Sequence, residues 1–199
     1  MIYEEYKMKK YFFNNLGSTL ILLVTTIAVT AMLGTSLLAV TMMNYKLKKD
    51  NTAIKQAVYL SEAGLNNTYG KAYDLVEYSI KDSIKKSQDY LEIHNFNEEE
   101  AEELFYNSYK FNIIGNIDNI LTSNSNLIIK IISPIQLSFI EGCLRLKLQS
   151  NYKINNVSQL VRVDMMIMAP NYSDVLLNTV EVLDLVNFEN WFFSGEEYE

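Results

Sequence analysis

Residues 11–45 contain no Asp, Glu, Lys or Arg, and within them residues 18–43 read STLILLVTTIAVTAMLGTSLLAVTMM. A helix needs about 20 mostly apolar residues to cross the hydrocarbon core of a bilayer, so this stretch is long enough to span one. Its interior polar residues are all Thr or Ser, whose hydroxyls can bond back to helix carbonyls in lipid. A cleaved secretory signal has an apolar core of only about 7–15 residues and a small-x-small cleavage site, and Ala39-Val40-Thr41 matches that site poorly. The expectation is a single membrane-spanning helix over residues 18–44.

The helical period does not stop there. Apolar or small residues recur in steps of three or four at Ile54, Val58, Ser61, Leu65, Tyr69, Ala72, Val76, Ile80, Ile84, Ser87 and Leu91. Lys55, Glu62, Asn66, Lys71, Asp74, Lys81, Lys85 and Asp89 occupy the other side. The pattern predicts an amphipathic continuation over residues 45–94, whose stripe from Leu65 to Leu91 covers one face of a sheet. On this pattern a charge at Ile80 or Ile84 would enter the core.

Residues 95–199 read as a β-rich globular domain with one short helix. Asn97 followed by Glu100 has the form of an N-cap with a reciprocal carboxylate, ahead of Leu104, Phe105 and Tyr109. Segments 126–133, 144–154 and 157–168 are β-branched or alternate between apolar and polar positions, and so predict strands. Asn155-Asn156 sits between the last two at hairpin spacing, and Pro170 closes the third. Segment 174–186 fits either strand or helix. The aromatics Trp191, Phe192 and Phe193 read as a packed lid. The fold class is therefore α+β: a long N-terminal helix on a small antiparallel sheet.

Composition narrows the chemistry. With 17 basic and 24 acidic residues the net charge is −7, and no basic stripe offers itself to nucleic-acid phosphates. The single Cys143 and single His94 fall short of a zinc ligand set. The acidic run Glu98, Glu99, Glu100, Glu102 and Glu103 is read as helix-dipole compensation rather than a metal site. Asp118, with Asn116 and Asn119, lacks the downstream carboxylate a calcium loop requires. There is no Gly-x-Ser-x-Gly and no phosphate-cradling glycine loop, and Cys143 reads as a small buried hydrophobe. The expectation is a protein without catalytic, metal or cofactor sites. Lysines flank the span on both sides, Lys7, Lys9 and Lys10 before it and Lys46, Lys48, Lys49 and Lys55 after it, so charge alone does not orient it.

The basic leader of residues 1–17, Gly17 and the charge-free helix that continues as a rod together resemble a type IV prepilin. Residues 56–65, QAVYLSEAGL, are similar to the A-x-x-A-E-A-G-L stretch of PilX-like minor pilins, carried here by Ala57, Ser61, Glu62, Ala63, Gly64 and Leu65. The hairpin around Asn155 is loosely similar to the region where that family's sheet closes. The resemblance implies a prepilin peptidase cutting between Gly17 and Ser18, N-methylation of Ser18, and a leader inside the cytoplasmic membrane with the domain outside. It also implies assembly with other pilins through the first half of the rod, residues 18 to about 65, and display on a surface pilus or pseudopilus. Within the lipid-facing part, the small residues Ala28, Ala31, Gly34 and Thr35 suit close helix packing.

Two positions depart from the family. Its major pilins begin the mature chain with Phe and carry Glu fifth, where this sequence has Ser18 and Leu22. A carboxylate in lipid needs a partner, in that family a neighbour's terminal amine, and Leu22 supplies none. The tip pseudopilin of type II secretion resembles this case, which implies a low-abundance minor subunit near a tip. The alternative is an uncleaved single-pass membrane protein whose outer domain binds a ligand or partner.

Overall fold

The structure, a computed structural model, describes residues 2–93, 97–134, 136–154 and 157–193, with side chains from Ser18 onward. Helix α1 runs Ile2–Ile93, and the chain divides into two compact units, Met1–Asn51 and Thr52–Glu199. The first unit is helix. The second is α+β: the remainder of α1, helix α2 (Glu98–Asn116) and a four-stranded antiparallel sheet.

The strands are β1 (Leu127–Ser133), β2 (Cys143–Ile154), β3 (Val157–Met168) and β4 (Val186–Phe193), hydrogen-bonded in sequence order. The β2–β3 register runs from Cys143 opposite Met168 to Ile154 opposite Val157; Asn155 and Asn156, read as the hairpin turn, lie outside the described residues. Alternation sets one face inward. Leu144, Leu146 and Leu148 of β2 and Val161, Val163, Met165 and Ile167 of β3 are buried, while Arg145, Lys147 and Lys153 face water.

From Thr52 on, α1 closes that inner face. Leu65, Ala72 and Val76 share one core with the sheet and with Tyr109, Ile113 and Ile117. At Gly64 the helix lies tight against β1, because a β-carbon there would lie 2.9 Å from Leu127 Cδ2 and 3.1 Å from Ile129 Cδ1.

Beyond Val76 the stripe departs from expectation in two respects. The fully buried positions are Ser79, Ser83 and Ser87, whereas Ile80, Ile84 and Leu91 are only half-buried. The partner there is also α2 rather than the sheet alone. Ser87 Oγ donates to the Ala101 carbonyl at 2.8 Å, and Asp82 accepts from Asn112 Nδ2 at 2.8 Å. A serine takes little room, so Ser87 bonds the α2 backbone directly, while Ile80 is half-buried against the core.

Helix α2 begins at the N-cap the sequence predicts, with Asn97 Oδ1 accepting from the Glu100 amide at 3.4 Å, while the Glu100 carboxylate, expected to reach back, accepts from the Tyr90 hydroxyl. It is longer than the segment recognised by its apolar face, continuing to Asn116 and then into a 3-10 turn, Ile117–Ile120. Segment 174–186 is neither a strand nor one helix. It holds the end of the short helix α3 (Tyr172–Leu176) and a 3-10 turn, Val182–Leu185. The aromatic tail is corrected too: Trp191, Phe192 and Phe193 are part of edge strand β4, with Phe192 opposite Arg162 and Phe193 opposite Val161.

Candidate functional site

The first candidate is the charge-free part of α1. One helix, Ser18–Ile93, is long and apolar enough to cross a membrane, and its most apolar window buries no side chain within the chain. All six hydroxyls between Leu20 and Met43 are satisfied by the helix itself. Thr25 and Thr26 both donate to the Leu22 carbonyl, at 2.9 and 2.8 Å, and Thr30 reaches Thr26 at 2.9 Å. Thr35 and Ser36 both donate to Met32, at 2.9 and 2.8 Å, and Thr41 donates to Leu37 at 2.8 Å. Such back-bonding removes the cost of carrying hydroxyls into hydrocarbon, where an unmatched polar group costs several kcal/mol.

Ala28, Ala31, Gly34 and Thr35 are all exposed along this segment, and a β-carbon on Gly34 would meet nothing within 4 Å. Gly17 and Ser18 both lie within α1, and Ser18 is exposed. The side chains of the leader, with Lys7, Lys9 and Lys10, lie outside the description, as does His94.

The second candidate is the segment 56–65. The helix splits its residues by face. Ala57, Ser61, Gly64 and Leu65 are buried, Glu62 is half-buried and Ala63 is exposed. Ser61 Oγ lies 3.4 Å from the Gln159 carbonyl, and two turns on Thr68 Oγ1 donates to the Gly64 carbonyl at 3.1 Å. The conspicuous small residues of this stretch therefore seat the helix on the chain's own sheet. The expected partner-facing region, drawn as far as Leu65, is narrowed accordingly: Ala57, Ser61 and Leu65 are already covered within the molecule.

The polar clusters place as follows. The first turn of α2 carries Glu98, Glu99 and Glu100 at the positive end of its dipole, and the Tyr90 hydroxyl donates to Glu100. That hydrogen bond raises the tyrosine's pKa, because losing the proton would set two anions together. Among the described residues no three His, Cys, Asp or Glu side chains converge as a metal site would require. Cys143 is half-buried and shares an open pocket with Pro134, Ser138, Ile140, Glu141 and Arg145. A groove of about 420 Å³ is lined by Lys71, Asp74, Tyr78, Asn116 and Asn119, and Lys71 Nζ there donates to Thr122 Oγ1 at 3.0 Å. The Tyr109 hydroxyl, raised in pKa by burial, donates to the Met168 carbonyl at 2.9 Å and serves the core.

Sequence reasoning placed Ser87 on the buried stripe but missed Ser79 and Ser83, which are buried as well. The signal was present as serines four residues apart, passed over because Ile80 and Ile84 stand one residue further on. No protein-family model, curated protein or solved structure matches the chain.

Proposed function

We propose that this protein is a minor pilin or pseudopilin, anchored in the cytoplasmic membrane, processed between Gly17 and Ser18, methylated at Ser18, and assembled into a filament through its N-terminal helix. The observation that carries the reading is continuity. One helix, Ile2–Ile93, joins a basic leader, a glycine at the leader's end, a charge-free segment with self-satisfied hydroxyls, and the turns that seat the sheet. The partners are other pilins, the prepilin peptidase and membrane lipid, and the role is structural rather than catalytic. Ala28, Ala31, Gly34 and Thr35 are the residues that would allow close helix approach in the membrane or filament. Leu22 in place of the family's Glu supports a position with no subunit ahead. Shearing filaments from cells tests the reading: the protein is expected as a trace component of the sheared fraction. Its confinement to membranes, or its dominance of the filament, would contradict it.

A second reading has specific support from Ser18 and Leu22, the two departures from the family: an uncleaved single-pass protein whose outer domain binds a ligand or partner. The state of the leader separates the two.

A further inference from the structure

Immediately after the last apolar residue of the span, Met43, the helix carries Tyr45, Lys46, Lys48 and Lys49, all exposed. Lys46 and Lys49 are three residues apart, so with a rise of 1.5 Å per residue their stems leave the helix within about 4.5 Å of each other along its axis. Successive residues turn by about 100°, so Lys48, Tyr45, Lys49 and Lys46 follow one another within one half of the helix's circumference and form a half-collar. The collar is basic in a chain whose net charge is −7. Lysine stems can lie along lipid chains while their ammonium groups reach the headgroup layer, and a tyrosine at the same level suits that amphipathic zone.

We propose that Lys46, Lys48 and Lys49, with Tyr45, form a binding collar for the phosphates of anionic lipid headgroups in the leaflet at the C-terminal end of the span. The proposal rests on the membrane reading of residues 18–43. What favours headgroups as the occupant is charge complementarity together with continuity: the collar begins within three residues of a segment that lipid would surround. Each lysine at an anionic surface favours association by roughly fivefold, so even two of the three would give a measurable preference. The collar would also fix the depth at which the helix sits.

The test uses the full chain in nanodiscs of equal parts phosphatidylcholine and phosphatidylglycerol, followed by mild detergent extraction and native mass spectrometry of the lipids retained. Phosphatidylglycerol is expected to exceed phosphatidylcholine by about fivefold or more on the unaltered chain. In the triple variant Lys46→Gln, Lys48→Gln, Lys49→Gln the ratio is expected to fall to near parity, with incorporation into nanodiscs unchanged. Equal retention of both lipids by the unaltered chain would overturn the proposal, as would a preference that survives the substitutions. Loss of bound phosphatidylglycerol on adding inorganic phosphate would show a free-phosphate site and overturn the headgroup assignment; retention supports it. Failure of the unaltered chain to enter nanodiscs would instead overturn the membrane reading, and the collar with it.

Discussion

Gly64 and Leu127 stand so close that a β-carbon on the glycine would lie 2.9 Å from Leu127 Cδ2. The helix–sheet distance is thus set where hydrogen is the only side chain that fits without movement. Leu127 and Ile129, the two residues it faces, are themselves 8% and 3% exposed and have little room to give. Gly70, two turns along the same helix, has nothing within 4 Å of the corresponding point. The two glycines should therefore respond oppositely. Gly70→Ala should stabilise the protein by about 0.5–1 kcal/mol through helix propensity alone. Gly64→Ala should lose that gain to repacking, and Gly64→Val should cost about 1–3 kcal/mol. Urea unfolding of the full chain in detergent, followed through its single tryptophan, Trp191, measures all three.

The serine seam makes the second prediction. Ser83 is fully buried and its hydroxyl has no hydrogen-bond partner among the described residues, whereas Ile84 is half-buried. Ser83→Ala should be neutral or stabilising by about 1 kcal/mol, because it removes an unmatched polar group and creates little space. An aspartate at Ser83 should cost several kcal/mol, about twice or more what Ile84→Asp costs, since a carboxylate at the rim can reach water. Equal costs at the two positions would place the isoleucine, not the serine, in the core.

Ser87 and Tyr172 give a third, through hydrogen-bond arithmetic. Ser87 Oγ donates its one proton to the Ala101 carbonyl at 2.8 Å, so the Tyr172 hydroxyl, also 2.8 Å away, must be the donor between the two side chains. Tyr172→Phe removes that donor and leaves the serine's main bond intact, for a cost of about 1 kcal/mol. Ser87→Ala strands a buried phenol proton and should cost about 1–3 kcal/mol. In a double-mutant cycle the two losses should be less than additive.

The elements legible in the sequence were those with a clean period. The apolar stretch of α1 announced itself by the absence of charge. Strands β2 and β3 did so by alternation, and α2 by the Asn97–Glu100 cap. What escaped has physical causes. Strand β4 keeps Val186 and Phe188 at alternate positions, but Asn190 adopts φ 53 and the register against β3 shifts there, which breaks the period before Trp191 and Phe193. The full burial of Ser79 and Ser83 is a tertiary fact that hydrophobicity does not encode. Segment 174–186 mixes a helix end, Asn178 at φ 55 and a 3-10 turn, so no single period could describe it. As for the candidate site, residues 56–65 were singled out for their similarity to a pilin motif. Their structural employment, seating a helix on a sheet, required the fold.

Acid should weaken the α1–α2 contact. The carboxyl of Asp82 is held below its ordinary range chiefly by hydrogen bonding from Lys86 and then from Asn112, with burial opposing. A carboxyl depressed in the folded state contributes stability above its unfolded pKa of about 3.9 and loses it as pH falls through the lower folded value. Asp82→Asn should therefore cost about 1 kcal/mol at pH 6–7, in line with a partly exposed charged pair plus one hydrogen bond, and the deficit should shrink below about pH 4. Urea midpoints of the two proteins between neutral pH and pH 3 check the sign; a gap that widened in acid would contradict it.

The central claim concerns one peptide bond. The measurement that tests it most directly is the mass of the N-terminal peptide of the protein taken from native membranes, in strains with and without prepilin peptidase. The account predicts a chain beginning at N-methylated Ser18 when the peptidase is present, and an intact leader ending at Gly17 when it is absent. An intact leader in both strains would contradict it, leaving residues 18–44 as an ordinary membrane anchor.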